Sequence, residues 1–194
     1  MQTSDADRDV LERFDAAAAG FQRRLGAVSD DMWSAPTPCT EWDVRALTNH
    51  VCGEQRWLAA LVGGLSMADV GSSLAGDLLG DEPVASYAGA AADARAALDA
   101  LPSLSVTVEL SSGPTSVQRY CDEVAADTLI HTWDLARAIG ADERLPADLV
   151  EYAATVVGPW LKPEGIPGVF AAGLEVPDDA DAQTRLLAAL GRRA

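Results

Sequence analysis

Basic residues are scarce in this chain. Only 14 lysines and arginines stand against 30 aspartates and glutamates, a formal net charge of -16 with a pI near 4.2. A surface this acidic is repelled by nucleic-acid phosphates and by anionic lipid, so neither a nucleic acid nor a membrane is expected as a partner. Long apolar runs are lacking as well: no window approaches the roughly 18 consecutive apolar residues of a membrane-spanning helix. The opening MQTSDADRDV has no basic segment followed by an apolar one, and the expected location is the cytoplasm. Cysteine is sparse. Cys39, Cys52 and Cys121 are odd in number and without CxxC spacing, which argues against a disulfide framework or a thiolate zinc site and leaves free, mostly buried thiols. Neither a glycine-rich phosphate loop nor a nucleophile elbow is found. No linker, repeat or low-complexity tract divides the 194 residues, so one domain, residues 1–194, is expected.

What the chain does have is helical periodicity. Val10, Phe14, Ala17, Phe21, Leu25 and Val28 recur at helical spacing over residues 5–28, behind an acidic start at Ser4 and Asp5. Pro36 and Pro38 force a turn after this first helix, with Trp33 expected to pack the turn onto the core. Thr40, three residues before Asp43, reads as a capping box opening a second helix that runs to Val62 and ends at Gly63 and Gly64. On that helix Leu47, His50, Glu54, Trp57 and Leu61 share the inward face, and Arg45, Asn49 and Arg56 the other. Residues 66–82 are weakly patterned, a loop or a short irregular helix. An alanine-rich third helix is predicted over 85–101, closed by Pro102. Residues 104–110 alternate polar and β-branched side chains, and with the turn chemistry of 111–114 they predict a short strand or hairpin. Residues 120–140, YCDEVAADTLIHTWDLARAIG, form the next long helix, stopped by Gly140. Pro146 opens another, which stops before Pro159; 162–176 reads as a structured loop and 179–190 as a final helix. The fold class is all-α: four main helices in a bundle, a short C-terminal helical extension and a small β-hairpin.

The candidate site lies on two of these helices. The chain has only two histidines, His50 and His131, each on an inward helical position with a carboxylate four residues away, Glu54 after the first and Asp127 before the second. Burying an imidazole and a carboxylate one turn apart is costly unless something compensates them. Two imidazoles and one carboxylate suit a divalent metal such as zinc and leave a position open for water or a thiol substrate. The plainer alternative is a helix-surface ion pair and a hydrogen-bonded core histidine. Glu54 and Asp134 are the candidate catalytic carboxylates, as base or as orienter of a ligand, with a structural or solvated carboxylate as the alternative for each. Trp42, Trp57 and Trp133 read as core or pocket wall. Arg45, Arg56 and Arg137 read as surface salt-bridge partners that could also hold a ligand carboxylate.

At these residues a resemblance enters. PTPCTEWDVRALTNHV (36–51) and DTLIHTWDLARAIG (127–140) resemble the actinobacterial family related to the mycothiol-dependent maleylpyruvate isomerase N-terminal domain, within the DinB-like metal-binding superfamily. The closing VPDDADAQTRLLAALGR (176–192) is similar to the ending of a subfamily of these proteins. The resemblance implies a DinB-like four-helix bundle with one divalent ion, zinc or nickel, held by His50, Asp127 and His131. It also implies mycothiol as a thiol cofactor and a small electrophile as the second partner. The isomerase carries glutamate where this chain has Asp127, and an additional C-terminal domain where this chain has a short extension after Gly140. Two function classes follow: a metal-dependent thiol transferase or isomerase, and a non-catalytic metal- or ligand-binding, sensing bundle. A homodimer is left open.

Overall fold

The computed structural model describes residues 4–162, 164–165 and 171–194. Helix α1 (Asp5–Leu25) starts where the Ser4 hydroxyl accepts from the Asp7 amide at 3.0 Å, with acids in its first turn and Arg23 and Arg24 in its last, complementing the helix dipole. It buries Val10, Phe14, Ala17, Phe21 and Leu25, as its period requires. A 3-10 turn (Asp30–Met32) leads into a tight loop in which Pro36 bridges Asp43 and the Thr37 hydroxyl donates to the Trp42 carbonyl at 2.8 Å. That loop carries Cys39 and Trp42 to the start of α2 (Val44–Val62).

The start of α2 differs from the capping box expected at Thr40. The cap is Asp43, whose carboxylate accepts from the Ala46 amide at 2.8 Å, while Thr40 stays exposed in the loop. The bridge from Pro36 keeps Asp43 extended, so the chain cannot turn helical before Val44. A one-turn helix, α3 (Met67–Val70), interrupts the weakly patterned stretch and is closed by reciprocal bonds between Ser66 and Asp69. Helix α4 (Pro83–Asp99) follows, with Tyr87, Ala90, Ala94 and Leu98 inward. Strands β1 (Thr107–Leu110) and β2 (Gly113–Ser116) form the expected hairpin, antiparallel with Thr107 opposite Ser116 and Leu110 opposite Gly113.

Helix α5 (Val117–Ile139) begins directly from the hairpin, capped by the Ser116 side chain, and ends at Gly140, whose φ of 69° is the left-handed turn a glycine adopts without strain. Helix α6 (Ala147–Val157) and helix α7 (Ala182–Ala189) complete the chain. The loop expected over 162–176 lies partly outside the described residues. Helices α1, α2, α4 and α5 close a four-membered ring, α1 on α5, α5 on α2, α2 on α4 and α4 on α1, which is the bundle. Helix α6 packs on the outer side of α5, and α7 on α6. No described helix is long and apolar enough to cross a membrane.

Two apolar clusters fill the bundle. Phe14, Leu58, Leu61, Leu98, Val117 and Val124 pack at one end, and Phe21, Leu25, Leu47, Val51, Tyr87 and Leu135 at the other. A third, of Leu129, Ile130, Leu149, Val150, Val156 and Leu190, joins α5 to the extension. Helix α5 is thus covered on nearly every side, and burial of its leucines, worth about 2–5 kcal/mol each against alanine, holds it in place whatever its polar residues do. The position of the α2 cap is testable. Asp43→Ala should cost about 1 kcal/mol in urea denaturation. Thr40→Ala should change stability by less than about 0.5 kcal/mol.

Candidate metal centre

Packing of α2 against α5 sets His50 opposite Asp127, and the turn of α5 sets His131 one turn beyond. The His50 Nε2 atom is 3.2 Å from Asp127 Oδ2, and His131 Nε2 is 3.4 Å from Asp127 Oδ1. One carboxylate therefore faces both imidazoles, one through each oxygen. The two rings meet edge to face with centroids 5.1 Å apart. Trp42 covers them, its ring 4.6 Å from that of His50 and 5.6 Å from that of His131. The side chain of His131 is 7% exposed, but those of His50 and Asp127 are 28% and 35% exposed, so the group opens toward solvent along one edge.

The far nitrogen of His131 is also engaged. Its Nδ1 lies 2.9 Å from Asp134 Oδ2, and Asp134 is fully buried. Arg192, from the segment after α7, grips the same carboxylate: Nε donates to Oδ1 at 2.9 Å, and a terminal nitrogen donates to Oδ2 at 2.7 Å. That terminal nitrogen is also 3.2 Å from the Cys39 sulfur, whose thiol donates to Asp134 at 3.3 Å and lies 3.8 Å from His131 Nδ1. A buried carboxylate thus receives a guanidinium, an imidazole and a thiol.

Among the described residues, two groups have ligand atoms within 4.8 Å of one another: His50, Asp127 and His131, and Cys39, Asp134 and His131. They share the His131 ring through different nitrogens. In the second, both Asp134 oxygens are taken by the Arg192 guanidinium, so the cation of that group is an arginine. In the first, among the described residues, no cationic side chain other than the histidines contacts Asp127, and the donor set of two imidazole nitrogens and a carboxylate fits zinc or a similar divalent ion. The Asp134 contact strengthens that fit, because an imidazole whose Nδ1–H is donated to a carboxylate offers Nε2 to a metal in one fixed orientation.

The charges respond accordingly. Burial opposes ionisation of Asp127, but the His131 charge and hydrogen bonds from both histidines outweigh it and hold the carboxyl below its ordinary range. Burial likewise opposes the charged form of His131, yet the Asp127 charge and the bonds to Asp127, Asp134 and Cys39 raise its pKa well above 6.5. Asp134 is lowered despite burial, by its bonds from His131 and Arg192. Glu54, one turn after His50, moves the other way: burial first, then repulsion from Asp127, raises it against the pull of the two histidines.

Of the residues singled out in the sequence, His50, Asp127 and His131 come together, Asp134 lies behind His131, and Glu54 lies beside them on α2. Leu47 is wholly buried in the core and Trp57 packs partly buried against the other apolar cluster; the aromatic lid over the histidines is Trp42. Arg45 pairs with Asp77, Arg56 donates to the Leu78 carbonyl, and Arg137 pairs with Glu143 over the Trp133 ring. The sequence reading passed over the Asp134 contacts of Arg192 and Cys39. No local signal leads to them, since no helical period connects positions 58 and 95 residues apart.

A family model described as the mycothiol maleylpyruvate isomerase N-terminal domain matches residues 14–136, which hold every site residue above except Arg192. Two curated relatives, the uncharacterized proteins MT0763 and Rv0738 of Mycobacterium tuberculosis, are each 32% identical over 192 residues, 95% of this chain and 98% of theirs. No solved structure gives a significant match.

The raised His131 pKa has a measurable sign. In metal-free protein its contribution to stability is full below about pH 6.5 and is lost as pH rises through the higher folded value. His131→Gln should therefore flatten the alkaline decline of the melting temperature. Zinc binding near neutral pH should release about one proton, seen by calorimetry in buffers of different ionisation enthalpy. Zinc uptake without proton release would contradict a protonated His131.

Proposed function

Because the chain belongs to the mycothiol maleylpyruvate isomerase N-terminal domain family, we propose that it is a divalent-metal protein that uses a low-molecular-weight thiol, of the mycothiol type, to transfer to or isomerise a small electrophile. The observation that carries this reading is the convergence of His50, Asp127 and His131 on one solvent-open edge, with His131 braced from behind by Asp134. Zinc is the preferred ion, with nickel the alternative. A divalent ion at such a site supplies positive charge that lowers the pKa of a thiol toward neutrality.

The remaining work falls to side chains. His50, Asp127 and His131 hold the ion. Asp127 is one methylene shorter than the glutamate of the isomerase, and it reaches both imidazoles at 3.2 and 3.4 Å from α5. Asp134 acts as the orienter of His131, since its carboxylate is fully buried and turned from the open edge. Glu54 takes the role of proton acceptor: it is half-buried one turn from His50 on α2, close enough to Asp127 and both histidines to feel their charge. Trp42 packs its ring against both imidazoles. The thiol and the electrophile approach along the exposed edge of His50 and Asp127.

Elemental analysis of purified protein should find about one divalent ion per chain. His131→Ala should lose it while keeping the helical circular dichroism, because the apolar clusters hold α5 unaided. Adding mycothiol or a simple thiol to the cobalt-loaded protein should change its visible spectrum, and a panel of electrophiles should reveal thiol consumption. Glu54→Gln should retain the metal and slow turnover by about 100-fold or more. Metal present with an unchanged spectrum at saturating thiol would turn the reading to a non-catalytic binding or sensing bundle. No bound metal in any preparation would remove the reading altogether.

A further inference from the structure

We propose that Arg192 is the positioning residue of the metal centre: its guanidinium fixes the Asp134 carboxylate, which in turn fixes the His131 ring with Nε2 directed to Asp127. This rests on the reading that His50, Asp127 and His131 hold the ion, but the clamp itself is a property of the metal-free chain.

The placement of Arg192 is built, not incidental. Although third from the end of the sequence, its side chain is only 10% exposed. Helix α7 is anchored by Leu186 and Leu190 against Ala126, Leu129 and Ile130 of α5 and against α6. Gly191 then turns the chain at a φ of +77°, and the Arg192 amide donates back to the Leu187 carbonyl at 2.8 Å, which aims the side chain inward. A Cβ on Gly191 would stand 2.5 Å from that of Ala171, so the turn has no room for another residue. Glycine is required there twice over, for conformation and for space.

The contact chemistry selects arginine. The fork meets both oxygens of Asp134, at 2.9 and 2.7 Å, and so sets the plane of the carboxylate, which a lysine's single point of charge would leave free to rotate. With the carboxylate plane set, Asp134 Oδ2 accepts from His131 Nδ1 at 2.9 Å. Cys39 completes the cradle from the loop before α2. The geometry of a ligand supplied by α5 thus depends on a residue beyond the matched span 14–136. Carboxylate partners of metal-binding histidines commonly change affinity by 10–100-fold when removed, and Arg192 acts one step further out, through that partner.

The test compares wild type with Arg192→Gln, Arg192→Lys, Asp134→Asn, the double variant Asp134→Asn with Arg192→Gln, and Arg193→Gln as an exposed neighbour. Zinc affinity is measured by chelator competition, folding by circular dichroism. Arg192→Gln should weaken zinc by about 10-fold. Arg192→Lys should recover part of the loss, Arg193→Gln should match wild type, and Arg192→Gln should add little once Asp134 is already Asn. In metal-free protein, the His131 Nδ1–H resonance should be protected from exchange in wild type and exchange fast in Arg192→Gln. Should Arg192→Gln fail to fold, Arg192→Lys carries the same two readouts. Unchanged zinc affinity with an equally protected Nδ1–H, or additive losses in the double variant, would overturn the proposal. If wild type binds no zinc, the metal reading fails, and the exchange of Nδ1–H in metal-free protein still decides whether Arg192 positions His131.

Discussion

Burying charge on an apolar helix is the constraint on which this structure turns. Asp127, His131 and Asp134 all sit on α5, in a bundle where an isolated ionised group would be strongly penalised by desolvation. The protein meets that penalty by alternating sign: Arg192, then Asp134, then His131, then Asp127, with His50 at the open end. Each group has an opposite partner on at least one side, and the row runs from the closing segment through α5 to α2. Removing Arg192 or His131 takes a partner from the fully buried Asp134 carboxylate, which costs more than the pair itself contributes.

The fold supplies the setting for that row. Apolar clusters at the two ends of the bundle confine the polar level, and Gln55, whose side-chain amide donates to the Thr128 hydroxyl, lies between α2 and α5 near the site. The hairpin of β1 and β2 delivers the chain directly into the Ser116 cap, which fixes where α5 begins and hence which of its residues face α2. Apolar packing holds the helices on either side of this polar level.

Family membership and geometry meet at the same residues. The matched span contains the three ligand candidates, the Trp42 lid, Cys39 and Asp134, whereas the guanidinium that braces them comes from outside it. The two Mycobacterium tuberculosis relatives align over nearly their whole length, so their chains extend across both parts.

Much of this was legible in the sequence, for reasons of local physics. Helix period placed Val10, Phe14, Phe21 and Leu25 in the core, turn chemistry placed the hairpin, and a four-residue spacing put Asp127 and His131 on one face. The rarity of histidine drew attention to His50 as their partner. Local rules misplaced the start of α2, since a capping box at Thr40 is a statement about three residues while the Pro36 to Asp43 bridge is a contact across a loop. They marked Asp134 as a candidate base or orienter but could not connect it to Arg192 and Cys39. Sequence by itself determined which residue types lie on which helix faces, because periodicity is a property of one element. Only the tertiary structure decided which charges compensate one another, because desolvation is resolved by whatever groups the packed chain brings within hydrogen-bond reach.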